Sequence, residues 1–95
     1  MNTKKPYAQH LDALYETIAA LDSPQACQDL LEDLCTVKEL EQMAERLYAA
    51  KLLMEGKTYN QVMEYAAISS ATLSRVSRCV QYGKGYAAVL KNQTE

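Results

Sequence analysis

The stretch "TYNQVMEYAAISSATLSRVSRCVQY", Thr58 to Tyr82, decides what kind of helical protein this is. Thr58 with Gln61 three residues on forms a capping box, in which each residue's side chain accepts from the other's backbone N–H. A short helix to about Ala66 is expected. After a turn of three or four residues a second helix starts near Ser70 and carries Arg75 and Arg78. Two short helices, a tight turn and cations on the second helix make a helix-turn-helix candidate.

At about 100° per residue, Leu73, Val76, Ser77 and Val80 share one side of the second helix and attach it to the domain. Ala71, Arg75, Arg78 and Tyr82 point the other way. Ser69, Ser70, Thr72 and Ser74 crowd the N-terminal turn, where side-chain oxygens, unpaired backbone N–H groups and the helix dipole favour a phosphate. That combination suits docking against DNA.

Upstream, "TVKE" is a further capping box, from Thr36 to Glu39, and opens the longest helix, which runs to about Glu55 and ends at Gly56. Its apolar residues do not stay on one side. Leu40, Met43, Leu47, Ala50 and Met54 form one stripe and Ala44, Tyr48 and Leu52 a flank, so the helix is covered from more than one direction, by a second subunit in the sharper reading. Before it, Tyr7, Leu11, Leu14, Tyr15, Ile18 and Leu21 lie at helical spacing. Ser23 and Pro24 then start a helix whose stripe is Cys27, Leu30, Leu31 and Leu34. The resulting division is a tail over 1–6, a helical dimerisation core over 7–56, the helix-turn-helix over 57–82, and a C-terminal helix and tail over 83–95.

Composition sets the outer limits. A chain of 95 residues makes one domain that buries roughly 60–70% of its unfolded surface; a monomer of that size is marginal and a dimer is not. An apolar fraction of 48% with two prolines and three glycines, and no alternating strand pattern, gives an all-α fold. No apolar run approaches the roughly 20 residues of a membrane span, and "MNTKKPYAQHL" lacks the apolar core of a signal peptide, which places the protein in the cytoplasm. Cys27, Cys35 and Cys79 form no CxxC pair and the one histidine, His10, is distant in sequence, so free, mostly buried thiols are expected, with no metal site and no cofactor. Residues 1–50 carry four Lys/Arg against nine Asp/Glu, a net of −5, and residues 51–95 carry six against three, a net of +3. The basic half is the one that would meet a polyanion.

Within "QVMEYAAISSATLSRV", Gln61 to Val76, the residues Ala67, Ile68, Ser69, Thr72, Leu73, Ser74 and Arg75 match the commonest bacterial repressor helix-turn-helix pattern in order. Two positions depart from it: Ala67 stands where glycine is usual, and Met63 where many such motifs have a small residue. A large residue at that crossing resembles the Trp repressor superfamily. The resemblance reaches back through Gly56, Arg46 and Thr36, covering roughly Leu34 to Arg78, and "YGKGY" at Tyr82 to Tyr86 is similar to the TrpR-like YerC/YecD group. The resemblance implies an intertwined, all-helical homodimer with two helix-turn-helix heads. It also implies an effector pocket at Thr36, Arg46 and Arg75. Val76 stands where tryptophan-binding members have glycine after the second arginine, and Cys79 replaces a pocket serine, so tryptophan is not the expected effector. Arg46 is read first as a surface residue paired with Glu45 or Glu39.

The expected function is a homodimeric transcriptional regulator, acting as a repressor on a palindromic operator in double-stranded DNA. Lys57, Ser69, Ser70, Ala71, Thr72, Ser74, Arg75 and Arg78 carry the contact. Base readout falls to Ser70, Ala71, Ser74 or Arg75, and because these side chains are mostly short, bridging water and DNA shape contribute, as at the operator of the Trp repressor itself. Tyr59, Tyr82 and Tyr86 flank this face, and one of them could reach a phosphate. The competing class is a helical protein–protein interaction module that keeps the helix-turn-helix shape. An enzyme is not expected: the chain has no clustered histidines, no carboxylate pair with a nucleophile and no phosphate loop.

Overall fold

The computed structural model describes residues 6–94, which form six α-helices and no strand. These are α1 (Pro6–Ala19), α2 (Pro24–Leu34), α3 (Val37–Met54), α4 (Tyr59–Tyr65), α5 (Ser70–Tyr82) and α6 (Gly85–Thr94). Most of the expected N-terminal tail, residues 1–5, lies outside the described residues. The chain divides into two compact units, with the boundary between Thr36 and Val37.

In the N-terminal unit the start of α2 follows directly from its sequence. Ser23 is the N-cap, its Oγ accepting from the Ala26 N–H at 3.0 Å, and Pro24 needs no hydrogen-bond partner at the first helical position. Of the expected α1 stripe, Tyr7, Leu11, Tyr15 and Ile18 are exposed, and Leu14 and Leu21 are half-buried. Helix α2 likewise has no buried residue.

In the C-terminal unit α3 packs against α4, α5 and α6, and α5 packs against α6. One cluster joins Ala49 and Leu52 of α3 to Val62 and Ala66 of the α4 region and Leu73 of α5. The other joins Ala50 of α3 to Val76 of α5 and Leu90 of α6, and Leu53 and Ile68 touch both. Ala49 and Ala50 are fully buried, and their small side chains let three helices approach α3 closely.

The expected α3 stripe is only partly the buried one. Ala50 and Leu52 are buried, but Met43, Ala44, Leu47 and Tyr48 are exposed, as is Val37 at the helix start. The division follows the helix axis: the residues buried under α4 to α6, Ala49, Ala50 and Leu52, all lie in its C-terminal half. Cys27, Cys35 and Cys79 are free, but half-buried rather than buried.

Helix α3 ends in a Schellman motif. The Lys57 N–H donates to the Leu52 carbonyl at 3.1 Å and the Gly56 N–H to that of Leu53 at 3.0 Å, which requires Gly56 at φ +94°.

Candidate nucleic-acid interface

The helix-turn-helix is built from three local devices. At its start Thr58 and Gln61 form the full capping box: Thr58 N–H donates to Gln61 Oε1 at 2.9 Å and Gln61 N–H to Thr58 Oγ1 at 3.2 Å. At the start of α5, Ser69 is the N-cap, and its Oγ accepts from the Thr72 N–H at 3.2 Å while donating to Thr72 Oγ1 at 3.0 Å. Between the two helices the chain turns without glycine. Ala66 is extended at φ −109° and ψ 137°, no described residue other than glycine has positive φ, and the Ile68 N–H donates to the Ala66 carbonyl at 3.0 Å. That bond spans a three-residue turn centred on Ala67, of the inverse γ kind that alanine adopts without strain. The absence of the usual glycine at Ala67 is thereby accounted for.

Helix α5 presents two distinct faces. Leu73, Val76 and Ser77 are buried, and Val80 packs on the second cluster. Ser70, Ala71, Ser74, Arg75, Arg78 and Tyr82 are exposed. The N–H groups of Ser70 and Ala71, at the first two helical positions, have no carbonyl to reach within the helix. Lys57 is exposed in the link between α3 and α4, and Ser69 at the cap is exposed too. Thr72 is half-buried and takes up the Ser69 hydroxyl, so these two hydroxyls act first as a cap within the chain. Tyr59 and Tyr82 are exposed, whereas Tyr86 packs against Ala50, Val76 and Leu90 and belongs to the core rather than the outer face. Met63 is not among the buried residues of the helix crossing: it is 41% exposed, and the buried positions of α4 and its cap are Val62 and Ala66.

Half-buried Arg46 lines a cleft of about 300 Å³ with Gln42, Glu45, Ala67, Ile68, Ser69 and Thr72. Arg75 stands on the exposed face of α5 instead, and Val76 is sealed into the core at 2% exposure. Thr36 is the last residue of the N-terminal unit. Glu45, read from the sequence as a surface partner for Arg46, accepts the Ala67 N–H on its Oε1 at 2.7 Å. Sequence reasoning missed this contact, and its only trace there is a missing glycine.

These elements define an all-helical protein with a helix-turn-helix whose second helix is exposed along a basic, hydroxyl-rich face. The Trp repressor protein family profile matches residues 9–94, so the chain belongs to the Trp repressor family. The match extends well beyond the segment, Leu34 to Arg78, on which the resemblance was read. The uncharacterized protein YerC of Bacillus subtilis (strain 168) is 39% identical over 83 residues, covering 87% of this chain and 80% of YerC. The crystal structure of a Staphylococcus aureus protein assigned provisionally as a Trp repressor superposes with a TM-score of 0.83 at 32% identity, over 95% of each chain. A TrpR-like protein from Eubacterium eligens ATCC 27750 gives a TM-score of 0.83 at 35% identity, over 90% of this chain and 89% of that one. The fold is therefore Trp repressor-like, and membership of this family of generally non-enzymatic regulators suggests a DNA-binding regulator. No helix among the described residues is long and apolar enough to cross a membrane.

Proposed function

We propose that the chain is a sequence-specific DNA-binding transcriptional regulator that acts as a homodimer, as a repressor on a palindromic operator. The observation that carries this reading is the outer face of α5, where Arg75 and Arg78 stand exposed beside Ser70, Ala71 and Ser74 while Leu73 and Val76 hold the helix rigidly from behind. A helix anchored in this way can enter a major groove as one body. The two arginines neutralise phosphates or read guanine edges, the unpaired N–H groups and hydroxyls at the start of α5 take a phosphate, and Lys57 adds a flanking contact. Ser69 and Thr72 hold the helix start in place.

Dimerisation is supported by the apolar surface that one chain leaves uncovered. In the N-terminal unit this is the α1 stripe of Tyr7, Leu11, Tyr15 and Ile18; in the C-terminal unit it is Val37, Met43, Leu47 and Tyr48. An open apolar groove of about 430 Å³, lined by Leu47, Cys79, Tyr86 and Val89 among others, continues the second surface. Apolar surface on this scale in so small a chain marks an interface. Two copies related by a two-fold axis place their α5 helices in successive major grooves about 34 Å apart.

Tryptophan is not the effector in this reading. The Val76 isopropyl group occupies core space against Ala50 and Leu90, and Arg46 and Arg75 do not share the cleft. Selection of bound fragments from a genomic DNA pool tests the proposal. It predicts enrichment of a common, two-fold symmetric sequence, unchanged by added tryptophan; recovery of unrelated fragments in proportion to the input would defeat it.

A further inference from the structure

We propose that Glu45 is a positioning residue for the recognition helix: from α3 its carboxylate holds the glycine-free turn between α4 and α5 and so sets the pose in which α5 meets DNA. The inference rests on the DNA-binding reading above. Its basis is the 2.7 Å hydrogen bond from the Ala67 N–H to Glu45 Oε1, which joins residues 22 apart in sequence.

Three observations turn this contact from a surface detail into a device. First, Glu45 lies one helical turn before Ala49, on the α3 face that packs against Val62, Ala66 and Leu73. It therefore continues the apolar contact with a polar one at the place where the turn passes. Second, the bond reaches across the cleft that separates Gln42, Glu45 and Arg46 on α3 from Ala67, Ile68, Ser69 and Thr72. Without it the turn borders open space on that side. Third, the neighbouring N–H groups are satisfied locally: Ala66 donates to the Val62 carbonyl at 2.8 Å, Ile68 to Ala66 at 3.0 Å and Thr72 to Ser69 Oγ at 3.2 Å. The Ala67 N–H alone in this group takes its acceptor from another helix. An ionised acceptor makes this the stronger kind of hydrogen bond. A turn that elsewhere would rely on a glycine's conformational range is held here by a carboxylate on the body of the domain.

The test uses full-length wild type, Glu45→Ala, Glu45→Gln, Ala67→Pro and the Glu45→Ala/Ala67→Pro double variant, with two readouts: hydrogen exchange at the Ala67 amide in the three forms that have one, and affinity for a DNA site selected by the wild type. Ala67→Pro removes the donor with little backbone cost, because Ala66 already has the extended conformation a residue before proline requires and the centre of an inverse γ-turn has the kind of negative φ that proline fixes. Glu45→Ala is expected to speed Ala67 exchange and to weaken DNA binding roughly tenfold, with dimer mass and helix content unchanged. Glu45→Gln keeps an acceptor oxygen and is expected to retain most of both. In the Ala67→Pro background, Glu45→Ala is expected to have no further effect, since the donor is gone. Unaltered Ala67 exchange in Glu45→Ala, unaltered affinity, or an equal loss of affinity in the proline background would each overturn the inference. A wild type that binds no DNA would instead overturn the functional reading on which it rests.

Discussion

Two turns in the C-terminal unit solve the same backbone problem with different residues. After α3 the chain reverses through Gly56 at φ +94°, a conformation an L side chain adopts only with strain. Nothing lies within 4 Å of a Cβ added there, so the cost of Gly56→Ala is purely conformational. It is expected to lower stability by about 1–2 kcal/mol, read by chemical denaturation at fixed protein concentration, with DNA affinity per folded molecule preserved. Before α5 the chain turns through Ala67, without positive φ, and takes an acceptor from α3. The first solution is legible in the sequence, because a glycine after a helical run is a local signal. The second is legible only as an anomaly, because the acceptor lies 22 residues away and no local pattern contains it.

Helix α5 is the element on which the proposed recognition depends, and its sequence specifies both its start and its two faces. Ser69→Ala removes the cap to the Thr72 N–H and the partner of the Thr72 hydroxyl together. The expected loss is about 1 kcal/mol, with weaker DNA binding from a frayed first turn, measurable as faster amide exchange at Thr72. Leu73→Ala acts from the other side: the side chain is fully buried among Ala49, Leu52, Val62 and Ala66, and its removal is expected to cost about 2–5 kcal/mol in a denaturant titration. The division of α5 into Leu73, Val76 and Ser77 inside and Arg75 and Arg78 outside could be read from period 3.6 alone, because large apolar and charged residues alternate cleanly there. Helix α3 was less legible. Its tightest contacts are made by Ala49 and Ala50, which add little to an apolar pattern, while the conspicuous Met43, Leu47 and Tyr48 face away from the chain's own core. Tyr86 shows the same limit, since only the packing of α6 reveals that it lies, half-buried, against the cluster of Ala50, Val76 and Leu90.

At the scale of the whole molecule, one chain exposes many large apolar side chains, and residues 1–50 carry a net charge of −5 against +3 for residues 51–95, the asymmetry the proposed dimeric DNA-binding role would use. Sedimentation of the wild type at micromolar concentration is expected to give twice the 10.6 kDa chain mass. Leu47→Glu, which places a charge on an exposed apolar position at little cost to the single chain, is expected to shift the species toward the chain mass and to weaken operator binding with it. The central claim, that two α5 helices of a dimer read DNA through Arg75 and Arg78, is tested most directly by titrating a selected duplex with the wild type and the Arg75→Ala/Arg78→Ala double variant over a range of salt. The account predicts sequence-dependent binding of two chains per duplex, and in the double variant a loss of at least roughly a hundredfold with a log–log salt slope shallower by up to about four, for two arginines in each of two chains. Absence of salt-sensitive, sequence-dependent binding by the wild type, or undiminished binding by the double variant, would contradict it.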